Sequence, residues 1–209
     1  MQSIAKTVAR RQVLFGAGVA AMAAAVPSVL QCEILRQAPL VGPDLVVPSP
    51  PAAISAALGE VRRVTLHNLH TGDKFDEVYW EKGRYVPDAL AAAQYALRDW
   101  RNGEEHFMDP KLFDVLHGIS QKLETRQPFQ IISGYRSPKS NAAMHAHSAG
   151  VAEHSQHMQG KASDIRVEGV DLNNLHKAAL SLQAGGVGLY PVSNFVHVDV
   201  ARVRAWQGV

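Results

Sequence analysis

Five prolines between residues 39 and 51 (Pro39, Pro43, Pro48, Pro50 and Pro51) divide this chain more firmly than any other feature. Each fixes φ and removes a backbone donor, so neither a sustained helix nor a strand ladder runs through the segment. The 209 residues therefore read as a leader at 1–30, a Pro-rich linker at 31–60 and one folding unit at 61–209, the size of a single domain with its own core. A composition of 46% hydrophobic and 19% charged residues excludes a disordered or fibrous chain. Cys32 is the single cysteine, so no disulfide framework or thiolate cluster holds this fold, and a bound metal would need imidazole and carboxylate ligands. Ten histidines make such a site possible.

The leader is an address. Residues 1–12 contain Lys6, Arg10 and Arg11 and no acid, and residues 13–30 (VLFGAGVAAMAAAVPSVL) carry no charge. That is the profile of a signal peptide, and Pro27 with the Ala and Gly content argues against a permanent membrane span. Arg10-Arg11 followed by Gln-Val-Leu-Phe resembles a twin-arginine export signal, which implies a periplasmic protein that meets the membrane only in transit. Ala23 and Ala25 allow cleavage after Ala25, and Val29-Leu30-Gln31-Cys32 imitates a lipoprotein box, with Gln31 standing where a small residue belongs. Removing residues 1–25 takes away Lys6, Arg10 and Arg11 from 21 basic residues and none of the 19 acidic ones, so the exported form is close to neutral. Nucleic acid is excluded as a partner by the lack of a basic footprint.

Beyond residue 61 the periodicities predict an α+β domain, helices packed on a small, mostly antiparallel sheet. Val64, Leu66 and Leu69, then Phe75, Val78, Tyr79 and Trp80, flank the turn signal Thr71-Gly72-Asp73 and predict a hairpin. Helices are expected from Pro87 to about Asn102, with Leu90, Ala93, Tyr95, Leu97 and Trp100 on the buried side, from Asp109-Pro110 to about Arg126, and over 171–183. Strands are expected at 129–132, 164–167, 187–190 and 195–200. The polar, His-rich stretch 137–160 is too long for a routine connection and reads as functional.

Unusual polar residues concentrate at 133–138, at 155–164 and at 195–199. Zinc accepts imidazole nitrogen and carboxylate oxygen, and a catalytic site leaves one position for water. His157, Asp164 and His197 would supply such a set, with Gly160 turning the chain between the first two. Asp164 could alternatively orient a ligating histidine from behind. His145, His147 and His154 fall near this cluster. His67, His70, His106, His117 and His176 read as ordinary structural or surface residues, and no Gly-x-Ser-x-Gly elbow supports serine chemistry.

The pattern Ser155-x-His157-x-x-Gly160-x-Ala162-x-Asp164, with His197 following, is similar to the signature of the zinc D-Ala-D-Ala peptidase superfamily, which also includes Hedgehog signalling domains. SGYRSPKSN at 133–141, HMQGKASDI at 157–165 and GGVGLYPVSNFVHVD at 185–199 more closely resemble its murein endopeptidase branch. The resemblance covers about residues 61–208. It implies zinc held by His157, Asp164 and His197, and an Arg136 that polarises the scissile carbonyl. It implies crosslink peptides of peptidoglycan as substrate, cut between two diaminopimelate residues or between D-Ala and diaminopimelate. An endopeptidase is favoured over a D-Ala-D-Ala carboxypeptidase by analogy, and a zinc-containing wall-binding module without turnover is the rival from another class. Many relatives carry Glu three residues before the third ligand or His two before it, where this chain has Asn194 and Phe195. The proton carrier is left open between His154 and Asp199.

Overall fold

Alternation along the strands decides which side chains face the core and which face the site. The computed structural model of the chain describes residues 59–148 and 150–208. The leader, Cys32 and nearly all of the proposed linker lie outside the described residues, so the export and lipidation expectations do too. Strands β1 (Arg62–Asn68) and β2 (Lys74–Glu81) form the expected hairpin, and β3 (Arg84–Tyr85) follows at its edge. Helices α1 (Pro87–Ala96) and α2 (Pro110–Lys122) come next, each with Pro in its first turn, where the missing N–H costs nothing. Then come β4 (Phe129–Ser133), α3 (Pro138–His147), a 3-10 turn (Gln156–Gln159), β5 (Ala162–Val167), α4 (Leu172–Ser181), β6 (Gly186–Tyr190), β7 (Phe195–Asp199) and β8 (Arg204–Gln207).

All eight strands join one sheet in the order β3-β2-β1-β4-β5-β7-β6-β8. It is a mixed sheet: β1 with β4 and β6 with β8 are parallel, and the other five pairings are antiparallel. Ile165, Val187, Leu189, Val196 and Val198 point to the core face, where α4 lies on β6 and β7 and α2 lies on β1. The opposite face carries one transverse row in register, Ser133–Asp164–His197–Gly188–Trp206, taken from five different strands. Among the described residues no helix is long and apolar enough to cross a membrane.

Three expectations need correction. Helix α1 stops at Ala96, so the 3.6-residue period does not carry on to Trp100. Leu90, Ala93 and Leu97 are buried as expected, but Tyr95 is 49% and Trp100 37% exposed, and each is covered by an arginine, Arg98 and Arg101 respectively. The stretch 137–160 is not simply a loop. It contains α3, whose buried residues are Ser140 and Asn141, so it offered no apolar stripe for periodicity to detect. Its start was nonetheless written locally: Ser137 caps the Ser140 amide and Pro138 occupies the first helical position. Strand β8 escaped notice because Arg204-Ala-Trp-Gln has one strong β-former in four residues.

Candidate metal centre

The row across the sheet face places three ligand-type atoms against one another. Asp164 of β5 pairs with His197 of β7, and His157 enters from the 3-10 turn above them. All three are buried, and among the described residues they are the one group of three or more His, Cys, Asp or Glu able to share an ion. His197 Nδ1 lies 2.9 Å from Asp164 Oδ1, and His157 Nε2 lies 3.2 Å from both. Bonds of about 2.0–2.1 Å at tetrahedral angles place zinc ligands about 3.3 Å apart, close to this triangle.

The outer nitrogens fix the tautomers. His157 Nδ1–H donates to the Gly134 carbonyl at 2.7 Å, which leaves Nε2 as a lone pair facing inward. His197 Nε2–H donates to Asp199 Oδ2 at 3.1 Å, which leaves Nδ1 facing inward. With both imidazoles neutral, two lone pairs and a carboxylate oxygen converge on one point, an arrangement that a positive charge holds together, whether a metal ion or a proton on His197 Nδ1. Burial drives the His157 pKa below its usual value. For His197 burial acts the same way, but the hydrogen bonds to Asp164 and Asp199 outweigh it and push it up to about 8. Burial would raise the Asp164 carboxyl, yet the two imidazoles hold it well below the ordinary carboxylate range. The electrostatics of this pocket favour positive charge at its centre.

Two glycines make the approach possible. Gly134 presents the carbonyl that His157 uses, and a Cβ there would lie 2.4 Å from the Leu97 carbonyl oxygen. Gly160, at φ +64°, reverses the chain after the 3-10 turn, and a Cβ there would lie 2.0 Å from the Phe107 carbonyl oxygen. The turn is therefore as tight as the sequence suggested, although backbone packing on Phe107 imposes it.

Arg136 is buried beside the triad, with Nη2 3.8 Å from Asp164 Oδ2. Its other contacts are long, Nη1 to Asn141 Oδ1 at 3.3 Å and Nη2 to Ser133 Oγ at 3.4 Å, and Nε is buried with no hydrogen-bond partner. Burial lowers its pKa, with Asp164 opposing, and the guanidinium stays charged. An under-satisfied buried cation next to these three ligand-type side chains has capacity left for an incoming oxygen. Asn141 also donates to the carbonyls of Ala152 and Glu153 at 3.1 Å each, so α3 ties Arg136 to the loop ahead of His157. Asp99 secures the start of α3 by accepting from both the amide and the hydroxyl of Ser137 at 2.9 Å.

The two residues considered as proton carriers occupy different places. His154 is exposed in the turn before the 3-10 helix. Asp199 lies behind His197, with a side chain 0% exposed, and accepts from Arg204 at 2.6 and 3.1 Å and from the amides of Gly186 and Ala201 at 3.0 and 2.9 Å. Burial alone would raise its carboxyl, but these donors hold it well below the usual range. Both Asp199 oxygens are taken up by these donors and by His197 Nε2. His145 and His147 are exposed, and each donates from Nδ1 to a carbonyl of its own segment, Val151 and Ala143. His106 stacks on Tyr135 and His70 on Trp100. Sequence reasoning missed Asn141 and Ser133 as partners of Arg136, although both lie inside the 133–141 motif. Arg204 it missed entirely.

Comparison with known proteins shows the family. The family model described as peptidoglycan L,D-endopeptidase MepK matches residues 56–206. The peptidoglycan L,D-endopeptidase MepK of Escherichia coli K12 is 44% identical over 156 residues, which is 75% of this chain and 86% of that protein. A probable peptidoglycan L,D-endopeptidase MepK of Haemophilus influenzae is 41% identical over 149 residues, 71% of this chain and 80% of that one. No solved structure matches.

Proposed function

Because this chain belongs to the peptidoglycan L,D-endopeptidase MepK family of peptidases, we propose that it is a zinc-dependent endopeptidase hydrolysing peptide crosslinks of bacterial peptidoglycan, exported to the periplasm. The observation that carries the metal chemistry is the convergence of His157 Nε2, Asp164 Oδ1 and His197 Nδ1 within 2.9–3.2 Å of one another, with both outer imidazole nitrogens committed to acceptors. In this reading all three are ligands, and Asp164 is not a mere orienter. The relatives' L,D designation favours a bond between an L and a D centre, as in a crosslink between two diaminopimelate residues.

Zinc, when bound, supplies a Lewis acid that makes water nucleophilic at neutral pH. The remaining roles fall to the chain. Arg136 faces the oxygen that gains charge as the water oxygen adds to the carbonyl carbon, and Ser133 and Asn141 aim the guanidinium. His154 is the exposed group left to carry a proton to the departing amine, on a loop anchored by the same Asn141 that holds Arg136.

The deciding experiment incubates the mature protein with purified crosslinked muropeptides and resolves the products by mass spectrometry. Scission that stops with a chelator and returns with zinc supports the proposal. Binding without products would favour the non-catalytic wall module, and release of a terminal D-Ala alone would favour a carboxypeptidase.

Asp199 and Arg204 should set metal affinity through His197. Partners behind a ligating imidazole typically contribute about 10- to 100-fold to metal affinity. Asp199→Asn and Arg204→Leu are each expected to weaken zinc binding by about that factor in a chelator competition, with Arg204→Lys recovering part of the loss. Unaltered affinity in both would remove the support role.

A further inference from the structure

The parallel pairing of β8 with β6 builds a second wall of the site that the proposed mechanism does not use. Gly188 sits opposite His197 on one side and Trp206 on the other, and a Cβ at Gly188 would lie 2.5 Å from the indole. With no side chain there, the Trp206 ring lies over Gly188 beside His197, at 5.2 Å between ring centroids. Its Nε1–H donates to the Tyr190 hydroxyl at 3.0 Å. The Tyr190 ring is fixed by stacking on Phe195, at 4.5 Å and 18° between planes, and by Gly208, where a Cβ would come within 2.1 Å of it.

These contacts determine what the hydroxyl can do. Indole is a donor with no acceptor, so it occupies a lone pair of the Tyr190 oxygen and leaves the phenolic hydrogen to be donated elsewhere. Tyr190 pairs with Phe195, two residues before His197, so its side chain stands on the same sheet face as the metal ligands. Arg136 touches Ser133 at one end of the transverse row, and Trp206 with Tyr190 closes the other, so the two flank the ligand set. Stacking on Phe195 and Gly208 would be served equally well by phenylalanine; the oxygen accepts from Trp206 and still has its own hydrogen to donate.

We propose that the Tyr190 hydroxyl donates a hydrogen bond to the reacting carbonyl oxygen of the substrate from the wall facing Arg136, with Trp206 orienting it. The charge that develops on that oxygen during hydrolysis then forms between two donors of different character, one cationic and one neutral. Tyr190 is in this sense a catalytic residue and Trp206 a positioning residue, and the assignment rests on the peptidase reading above.

The test is Tyr190→Phe, which keeps the stacked ring and removes one oxygen. On crosslinked muropeptides we expect kcat to fall about 10- to 100-fold, at the lower end of the range for one oxyanion donor, with KM changed by less than about twofold. Zinc content should remain that of wild type. A phosphinate peptide, whose tetrahedral oxygens imitate the transition state, should bind the variant more weakly by a similar factor, while the product peptide binds both alike. Trp206→Phe should lose less than Tyr190→Phe, and adding it to Tyr190→Phe should cost nothing further. Wild-type kcat, a change confined to KM, unaltered phosphinate binding or loss of zinc would each overturn the assignment. A wild-type protein that holds zinc but leaves muropeptides intact would instead overturn the peptidase reading, while the phosphinate comparison still decides the role of Tyr190.

Discussion

His157→Ala, Asp164→Ala and His197→Ala should each reduce zinc from near one ion per chain to near zero after dialysis, and muropeptide scission should fall to background. A three-ligand site has no redundancy. Removing one donor leaves two, and the open position needed for water is lost together with the grip on the ion. Reloading with excess zinc should be weakest for Asp164→Ala, because Asp164 carries the one negative charge in the triangle and lies within 3.2 Å of both imidazole nitrogens. Asp164→Asn keeps the shape and removes the charge, so it separates a folding failure from loss of the ion: it should show wild-type circular dichroism and little metal. Metal content by atomic absorption is the primary readout. Full occupancy in all three alanine variants would end the assignment of these residues as ligands.

Arg136→Ala should keep its zinc and lose about 10²- to 10³-fold in kcat, the scale for removing one preorganised donor to a developing oxyanion. The separation follows from geometry, since Arg136 stands 3.8 Å from Asp164 Oδ2, the carboxylate oxygen other than the one facing the imidazoles. Arg136→Lys should recover only part of the rate. A lysine keeps the charge, but its compact ammonium does not reproduce the planar fork that reaches Asn141, Ser133 and Asp164 together. The discriminating measurement is kcat against zinc content on the same preparation. A variant as fast as wild type would reduce Arg136 to a structural partner of Asp164.

The hairpin around Thr71-Gly72-Asp73, the core face of α2 and the strands at 129, 164, 187 and 195 were legible because a local period of two or 3.6 residues reports one buried face. Tyr95 and Trp100 misled for the same reason in reverse. Trp100 continued the helical spacing beyond Ala96, where the helix had already ended, while Tyr95, within the last turn, stays half exposed under Arg98. Helix α3 was invisible to periodicity because it serves the site and buries polar residues.

The residue types and spacing of His157, Gly160, Asp164 and His197 were enough to suggest a histidine–carboxylate metal cluster, since ligand chemistry belongs to the side chain wherever it lies. The contacts of the surrounding residues came from the tertiary structure. Asp199 was read as a possible proton carrier from its place on the strand of His197; the fold gives it the outer nitrogen of His197 and closes Arg204 onto it. Tyr190 acquires a directed hydroxyl because β8 pairs in parallel with β6 and brings Trp206 across Gly188. Spacing along one chain specifies what neighbours in sequence can do. Which strands lie side by side is chosen by burial of the whole sheet, and that choice decides which polar groups meet.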